Sequence, residues 1–408
     1  MSFNQWKEVK LGELIQSVSV KHNFDKDKLI FLNTSDVLEG RVLHSNYTKV
    51  VGMPGQAKKS ILKDDILFSE IRPKNKRFAY VDFEAEDYVV STKLMVLRKK
   101  SDVIDNKFLY KYLTSDKMLN YLQIVAEGRS GTFPQITFSE LKDIFVKLPS
   151  LQEQKSIAHI LSTLDAKIEI NNKINDNLEQ MAQVIFKQWF VDFEFPNEDG
   201  KPYKSSGGEM VESEMGVIPR GWEVKVLGDI IELFDSKRIP LSKNEREKRE
   251  KIHPYYGAAS LMDFVDDYIF DGIYILMGED GTVIDDYGFP ILQYVWGRFW
   301  VNNHAHVIKG KGDISAEFIY IFLKNTNVSS IVTGAVQPKI NQQNLKGLKI
   351  AMPRDNKLIV DYSNIVKSSF EEMRGNSDES NILTNMRDLL LPKLMSGEIN
   401  LDKLEINI

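Results

Sequence analysis

The chain contains the same segment twice. Residues 134–149 read PQITFSELKDIFVKLP and residues 338–353 read PKINQQNLKGLKIAMP, and the two align without a gap at an offset of 204 residues. The matching pairs are Pro134 and Pro338, Ile136 and Ile340, Leu141 and Leu345, Lys142 and Lys346, Ile144 and Leu348, and Pro149 and Pro353. An internal repeat of this kind predicts two copies of one structural unit.

Other pairs extend the repeat in the same order. WKEVKLG, from Trp6, is similar to WEVKVLG, from Trp222, and KFLYKYL is similar to EFIYIFL further along each copy. NLEQMAQVIF and NILTNMRDLL, from Asn177 and Asn381, again lie 204 residues apart. The chain has 408 residues, of which 42% are hydrophobic, so two units of about 200 residues can each bury a core.

A long helix is predicted at the end of the first copy. Residues 150–190 contain neither Pro nor Gly, and their seam positions recur in steps of four and three, as in a coiled coil. The seam residues are Ile157, Leu161, Leu164, Ile168, Asn171, Asn175, Leu178, Ala182, Ile185 and Trp189. The two Asn side chains weaken the seam but favour one register, because a buried amide opposite the wrong residue is left unsatisfied.

The second copy ends in a similar but less regular helix at residues 357–395. Its seam residues are Ile359, Tyr362, Val366, Met373, Leu383, Leu390 and Leu394. GNSDES, from Gly375, is predicted to interrupt this helix, and Pro392 is predicted to end or kink it. The simplest way to bury both seams is to pack them against each other as an antiparallel pair; two unrelated core helices are the alternative.

These patterns predict an α+β protein with an internal pseudo-twofold repeat. Two mixed α/β domains are each followed by a long helix, and the two helices pair as an antiparallel coiled coil. The predicted boundaries are 1–149 for the first domain, 150–195 for the central helix, 196–216 for a polar linker rich in Gly, Pro and Ser, 217–354 for the second domain, and 355–408 for the C-terminal helix and tail.

Composition restricts the class of protein. A net charge of -5 and a pI of about 5.8 argue against a chain that coats nucleic acid through its overall field, although local basic surfaces remain. The absence of cysteine excludes disulfides, thiolate metal sites and a Cys nucleophile, and it fits a reducing compartment. No signal-like N-terminus or run of roughly 18 apolar residues is present, so a cytoplasmic protein without a membrane partner is expected.

Motifs for catalysis are absent from the sequence. It has no phosphate loop, no H-E-x-x-H helix, no G-x-S-x-G elbow and no Pro-Pro pair of the kind expected in an amino-group methyltransferase signature. His304 and His306 alternate along a predicted strand without a neighbouring acidic or third His residue, so packed or hydrogen-bonded imidazoles are favoured over a metal site. We therefore predict neither catalytic nor metal-binding residues.

Polar residues on loops between predicted strands are candidates for contacts with DNA. In the first domain IRPKNKR connects two apolar strands, and Arg on a rigid base suits phosphate contact and bidentate reading of guanine. Candidates in the first domain are Lys58, Lys59, Arg72, Lys74, Lys76, Arg77, Arg129, Ser130, Thr132 and Gln135. Candidates in the second are Lys237, Arg238, Tyr255, Asp280, Arg298, Asn302, Asn303, Gln337 and Lys339. The alternative is that these residues form a solvated surface, turns or core.

The whole chain resembles the specificity subunit of type I restriction-modification enzymes. The resemblance depends on the order and spacing of ILFSEIRPKNKRFAYVDF, GTFPQI, LPSLQEQKSIAHIL, QVIFKQWFVDFEF, GVIPRGWEVKVLGDI, GEDGTV, WGRFWVNNHAHVI and RDLLLPKLMSGEI within a duplicated chain. It implies two target-recognition domains, each reading one half of a split DNA sequence. It also implies helices that dock two adenine methyltransferase subunits, with restriction subunits joining the complex. S-adenosylmethionine, ATP and magnesium would then belong to those partners.

Two other functions remain open at this point. A coiled-coil scaffold with two ligand-binding lobes would show no sequence-dependent DNA binding even with methyltransferase partners. A self-sufficient nuclease or methyltransferase would act on DNA as the purified chain. The missing motifs argue against the enzyme, and the basic loops flanked by strands argue against the scaffold.

Overall fold

The chain folds into two compact units. The computed structural model describes residues 6–128, 134–334, 336–399 and 401. Unit 1 comprises Met1–Glu169 with Ser380–Ile408, and unit 2 comprises Ile170–Glu379. Each unit therefore contains one repeat together with a part of each long helix. Within the described residues, no helix combines the length and the apolar composition that a membrane span needs.

Unit 1 is built mainly from short strands and short helices. Its elements in chain order are β1 (Lys7–Lys10), α1 (Leu11–Leu14), β2 (Ile15–Val18), β3 (Lys28–Leu32), β4 (Val37–Leu38), β5 (Arg41–Val42), β6 (Tyr47–Lys49), β7 (Ala57–Ser60), β8 (Ile66–Ser69), β9 (Phe78–Tyr80), β10 (Tyr88–Ser91), β11 (Leu94–Lys99), α2 (Asn106–Thr114), α3 (Asp116–Glu127), α4 (Phe138–Leu141) and β12 (Phe145–Leu148), followed by α5 (Leu151–Phe186), which continues into unit 2.

The described residues of unit 1 form two four-stranded sheets and two strand pairs, one of which is the β4-β5 hairpin. The strand orders are β2-β11-β8-β9 and β6-β3-β10-β7, and β1 pairs with β12. All pairs in these sheets are antiparallel except the parallel pair of β3 and β10. Strands β8 and β11 are almost wholly buried, as expected for near-continuous apolar runs at the centre of a sheet.

Unit 2 repeats this construction. Its elements are β13 (Met210–Ser213), β14 (Gly216–Pro219), β15 (Trp222–Val226), α6 (Leu227–Ile230), β16 (Ile231–Leu233), α7 (Lys243–Glu247), β17 (His253–Tyr256), β18 (Leu261–Val265), β19 (Phe270–Asp271), β20 (Tyr274–Gly278), β21 (Leu292–Val295), β22 (Arg298–Val301), β23 (Ala305–Gly310), α8 (Ala316–Lys324), α9 (Gln342–Lys346), β24 (Lys349–Pro353) and α10 (Lys357–Ser396), whose last part belongs to unit 1.

The sheet topology confirms the predicted repeat. The order β16-β23-β20-β21 corresponds to β2-β11-β8-β9, and β15 pairs with β24 as β1 pairs with β12. The second sheet, β18-β17-β22-β19, again contains one parallel pair, between β17 and β22. Both units therefore contain the same succession of elements, and this is the internal repeat of the α+β fold.

Two glycines explain part of the sequence repeat. A Cβ atom on Gly12 would lie 2.9 Å from the Cβ and carbonyl oxygen of Lys142, and one on Gly228 would lie 2.9 Å from the Cβ of Lys346. The preceding backbone N–H groups, of Leu11 and Leu227, donate across this contact to the carbonyls of Ile144 and Leu348 at 2.9 and 2.7 Å. The Leu-Gly pair is therefore repeated because the chain approaches too closely for a side chain.

In unit 1 the start of α5 packs with the end of α10. Ile157 and Leu161 are fully buried in the same apolar cluster as Leu394. The guanidinium of Arg387 on α10 donates to a carboxylate oxygen of Asp165 on α5 at 2.9 Å. The ammonium of Lys111 on α2 binds the same carboxylate, so this charged contact joins three helices.

In unit 2 the end of α5 packs with the start of α10. The hydroxyl of Tyr362 donates to the carbonyl of Ala182 at 3.0 Å, and both side chains lie in the buried cluster of this unit. The amide of Asn175 donates to the carbonyl of Met373 and to the hydroxyl of Ser377, at 3.2 and 3.0 Å. Early residues of α5 thus meet late residues of α10 and the reverse, which confirms the predicted antiparallel pairing.

The remaining seam positions of the two helices include Asn171 and six half-buried apolar residues. Asn171 is buried and donates to Glu379 Oε2 at 2.8 Å. Leu164, Ile168 and Leu178 are half-buried on α5, as are Ile185 near its end and Leu383 and Leu390 on α10. The middle of the seam is therefore polar and contains interhelical hydrogen bonds.

The second helix and the segment predicted as a linker contain more regular structure than the sequence indicated. The interruption near Gly375 is wrong, because α10 is continuous from Lys357 to Ser396, and the helix passes Pro392 before it ends. Ser377 in that polar stretch bonds across to α5, which lets the stretch remain helical. The segment at 196–216 includes most of the β13–β14 hairpin, and Tyr203 stacks on Phe195, which in turn stacks on Trp222.

Candidate nucleic-acid interface

A short antiparallel ribbon extends the β2-β11-β8-β9 sheet of unit 1. The backbone N–H of Ile136 donates to the carbonyl of Glu70 at 2.8 Å, and the N–H of Arg72 donates to the carbonyl of Pro134 at 3.0 Å. Glu70 follows directly on strand β8, so the ribbon continues the sheet. We call residues 70–72 with 134–136 ribbon 1.

Unit 2 contains the same ribbon. The N–H of Ile340 donates to the carbonyl of Glu279 at 2.9 Å, and the N–H of Gly281 donates to the carbonyl of Pro338 at 3.0 Å. Glu279 follows directly on β20, the counterpart of β8. We call residues 279–281 with 338–340 ribbon 2. The repeated PQI and PKI segments are therefore the second strands of two equivalent ribbons.

A carboxylate occupies the same position in both ribbons. The side-chain amide of Gln135 donates to Glu70 Oε2 at 2.9 Å. The ammonium of Lys339 lies 3.3 Å from Glu279 Oε1. Glu70 and Glu279 were not among the residues selected from the sequence, although each ends the apolar strand that precedes a candidate loop, in ILFSE and YILMGE.

The basic loop of unit 1 extends from ribbon 1. A single 3-10 turn, Pro73–Asn75, lies between Arg72 and Lys76, whose φ angles of 46° and 53° are in the left-handed region. Arg72 and Lys74 are exposed. Lys76 lies 3.7 Å from Glu39 and 3.5 Å from Asp116, and Arg77 donates to the carbonyl of Ser35 at 2.9 Å. The loop therefore presents Arg72 and Lys74 to the solvent, whereas Arg77 forms hydrogen bonds within the domain.

The other candidates of unit 1 separate by burial. Lys58 is exposed on β7, but Lys59 is buried and donates to the carbonyls of Thr92 and Leu94 at 3.0 and 2.8 Å. Burial lowers the pKa of Lys59. Its position does not support a contact with DNA. Arg129, Ser130 and Thr132 lie outside the described residues.

Ribbon 2 lies on a buried network of charged and polar groups. Arg238 donates to Glu279 Oε2 at 2.7 Å and to the carbonyl of Ala305 at 2.7 Å. The ring nitrogens of the fully buried His306 lie 2.6 Å from Asp235 Oδ2 and 2.8 Å from the carbonyl oxygen of Ile340. The network therefore contacts the second strand of ribbon 2 through the ring of His306 and the carbonyl of Ile340.

The carboxylates of this network stay ionised because of their neighbours. Burial by itself raises the pKa of Asp235, but the hydrogen bond and charge of His306, the N–H of Val307 and the charge of Arg238 together lower it below the ordinary aspartate value. Burial also acts to raise the pKa of Glu279, and the hydrogen bond from Arg238 and the charge of His306 lower it overall. The network is thus held by charge pairs and hydrogen bonds.

Asp235, Glu279 and His306 bring their ligand atoms within 4.8 Å of one another, a spacing that a metal ion can use. However, Gln342 donates to Asp235 Oδ2 at 2.7 Å, and Arg238 donates to Glu279 Oε2. These donors fill the positions that a cation would take, so the arrangement favours a hydrogen-bonded network. His304 likewise binds Asp280, with Nδ1 2.6 Å from Oδ1. The expected hydrogen-bonded imidazoles are confirmed, but their acidic partners are distant in sequence.

The remaining candidates of unit 2 also separate by burial. Tyr255 is buried, and its hydroxyl accepts from the N–H of Leu241 at 3.0 Å, so it belongs to the core. Asn302 is buried, and its side-chain oxygen accepts from the N–H of His304 at 2.8 Å. Exposed side chains are those of Lys237, Arg298, Asn303, Gln337 and Lys339. Arg298 lies over the ring of Tyr268, 4.8 Å from its centroid.

The fold and this surface define a duplicated α+β protein with two equivalent polar ribbons and a shared antiparallel helix pair. A family model described as "Type I restriction modification DNA specificity domain" matches residues 4–180 and 219–372. The chain belongs to this family of type I restriction-modification specificity subunits.

Individual relatives agree with this assignment. The type I restriction enzyme HindI specificity subunit of Haemophilus influenzae is 30% identical over 97% of this chain and 100% of its own length. The MjaIX specificity subunit of Methanocaldococcus jannaschii is 28% identical over 74% of this chain and 71% of its own length. A solved type I restriction-modification S subunit from M. genitalium, 17% identical, has the same fold, with a TM-score of 0.54 over 95% of this chain and 96% of that one.

Proposed function

We propose that this specificity subunit recognises a bipartite DNA target, with one half read by unit 1 and the other by unit 2. The observation that supports the proposal is the repeated ribbon: the same backbone construction carries different side chains in the two units. Ribbon 1 leads into the basic loop at Arg72, whereas the corresponding loop of unit 2 contains Asp280, Asp285 and Asp286. Arg donates to guanine and carboxylates accept from cytosine, so two such loops suit two different half-sites.

The proposal includes two adenine methyltransferase subunits and restriction subunits as partners. Catalysis, together with S-adenosylmethionine, ATP and magnesium, belongs to those partners, and the chain itself supplies no catalytic residue. The lack of catalytic motifs in the sequence supports this division. Such a complex would act on DNA in the cytoplasm.

Exposed apolar residues on the long helices are suited to docking the methyltransferases. Met181 and Val184 on α5 are 58% and 65% exposed, and Met386 and Leu389 on α10 are 46% and 67% exposed. Both pairs have the same spacing and lie 205 residues apart. Buried positions of the two helices correspond at that offset as well, including Ile157 with Tyr362 and Leu161 with Val366. Each helix therefore presents one equivalent apolar surface, which favours two copies of the same partner.

Substitution of these surfaces should remove the methyltransferases one at a time. We expect Met181→Asp with Val184→Asp to weaken one methyltransferase site by at least about 100-fold, because two apolar side chains lose roughly 1.5 to 3 kcal/mol of burial each. Met386→Asp with Leu389→Asp should weaken the other site equally. The measurement is the mass of the assembled complex, which should fall by one methyltransferase for each double variant.

The exposed Asp176, on another face of α5, supplies the control. Asp176→Ala should leave the full complex intact. Retention of both methyltransferases by both double variants would show that these surfaces are not the docking sites.

Exchange of one recognition domain tests the proposed function directly. If residues 217–354 are replaced by the equivalent part of a relative, one half of the methylated sequence should change, while the other half and the gap remain. The reason is that each unit has its own core and its own ribbon. The measurement is genome-wide mapping of methyladenine in cells that co-express the chimera and its methyltransferase.

The outcome also separates the alternatives. A scaffold without DNA specificity predicts no bipartite motif with the original chain. A change in both halves at once would mean that the units do not read DNA independently.

A further inference from the structure

Gln135 and Lys339 occupy the same position in the two ribbons. Each is the cross-strand partner of the residue that follows the carboxylate, since Gln135 pairs with Ile71 and Lys339 pairs with Asp280. Each side chain also binds the carboxylate at the end of the preceding strand, Glu70 or Glu279. The fold thus holds two different polar side chains in one repeated geometry.

The chemistry that these side chains present to a ligand differs. A carboxylate accepts hydrogen bonds, so Glu70 turns the NH2 group of Gln135 towards itself and leaves the amide oxygen and one N–H for another partner. An acceptor beside a donor matches adenine, which offers the N6 amino group and N7 in the major groove. Lys339 has an ammonium, which only donates, and guanine offers two acceptors, O6 and N7.

We propose that Gln135 and Lys339 are equivalent base-contacting positions, reading adenine in one half-site and guanine in the other, and that Glu70 and Glu279 are positioning residues that orient them. This inference rests on the proposed DNA recognition. In unit 2 the positioning carboxylate is itself anchored, because Arg238 donates to it and its backbone N–H donates to the carbonyl of His304 at 2.8 Å. In unit 1 the backbone N–H of Glu70 donates to the carbonyl of Lys93 at 3.2 Å.

The first test gives unit 1 the pair of unit 2. In the complex assembled with its methyltransferase, Gln135→Lys keeps Glu70 and replaces the amide by a donor. We expect one position of the first half-site to change from adenine to guanine, with about a tenfold or greater reversal of preference. Methyladenine mapping reports the motif. Gln152→Lys, the same substitution at an exposed position on the first turn of α5, should leave the motif unchanged.

The second test separates orientation from simple structural support. The double variant Glu70→Gln, Gln135→Glu restores a hydrogen bond between the same two positions but places a carboxylate where the amide was. A purely structural pair would then give the original motif. The proposal instead expects a preference for cytosine, whose N4 amino group donates to a carboxylate, at one position of the first half-site. Glu70→Gln by itself should relax that position without a preference for a new base.

Failure of the inference is distinct from failure of the proposed function. If the original chain yields a bipartite motif and all unit 1 variants that assemble keep it unchanged, the base-contacting role is wrong while DNA recognition stands. If unit 1 variants do not assemble, Lys339→Gln gives unit 2 the pair of unit 1. It should change one position of the second half-site from guanine to adenine; an unchanged second half-site overturns the proposal.

Discussion

Lengthening both long helices by one matched heptad should widen the unread gap of the proposed bipartite DNA target by up to about three base pairs. Seven residues add about 10 Å at 1.5 Å per residue, and B-DNA rises about 3.4 Å per base pair. The insertions belong between Glu169 and Ile170 on α5 and between Glu379 and Ser380 on α10, where the two units divide. Methyladenine mapping should show unchanged half-sites and loss of the original spacing.

The structure excludes an insertion further into unit 2. The indole N–H of Trp296 donates to Asp378 at 3.1 Å, and Arg374 donates to the hydroxyl of Tyr294 at 2.5 Å. A heptad between Asn171 and Leu178, with its match on α10, would separate these pairs. A heptad added to α5 without its match displaces every later seam contact and should prevent assembly. Methylation by the doubly lengthened protein at the original gap would mean that the partners set the spacing.

Removal of the Asp235 carboxylate should destabilise unit 2 by about 3 to 5 kcal/mol. Asp235 is buried and receives hydrogen bonds from the N–H of Val307 at 2.9 Å and from Gln342 at 2.7 Å, besides its contact with His306. Asp235→Ala leaves these partners unsatisfied in the core, which costs more than the loss of an exposed ion pair. Urea unfolding of the full-length chain measures the change in unfolding free energy.

The matched control is Glu232→Ala, which removes an exposed carboxylate from the neighbouring strand β16 and should change the stability by less than about 0.5 kcal/mol. Because the pKa of Asp235 is lowered in the fold, its contribution is complete at pH values above the unfolded aspartate pKa of about 3.9. The contribution decreases as the pH falls through the lower folded pKa. Equal stabilities of Asp235→Ala and Glu232→Ala at neutral pH would contradict the role of the network.

The repeat and the two long helices could be predicted because their signals are local. Seam residues such as Ile157 and Leu161 recur at helical spacing, and the aligned segments from Pro134 and Pro338 preserve the residues that fold alike. The same local signals predicted wrongly that the polar stretch after Gly375 interrupts α10. Its helix is stabilised by a bond from Asn175, which lies about 200 residues earlier in the chain.

The sequence by itself determined that one unit is used twice and that each copy ends in a helix, since repeats and periodicity are properties of neighbouring residues. Only the tertiary structure decided which of the candidate cations are exposed and which are buried. Lys58 and Lys59 are adjacent and chemically identical, yet Lys59 is buried, and its ammonium donates to the carbonyls of Thr92 and Leu94. The positions of the Glu70 and Glu279 carboxylates also depend on the tertiary structure. Burial and hydrogen bonding are set by residues that approach each other only when the sheet forms.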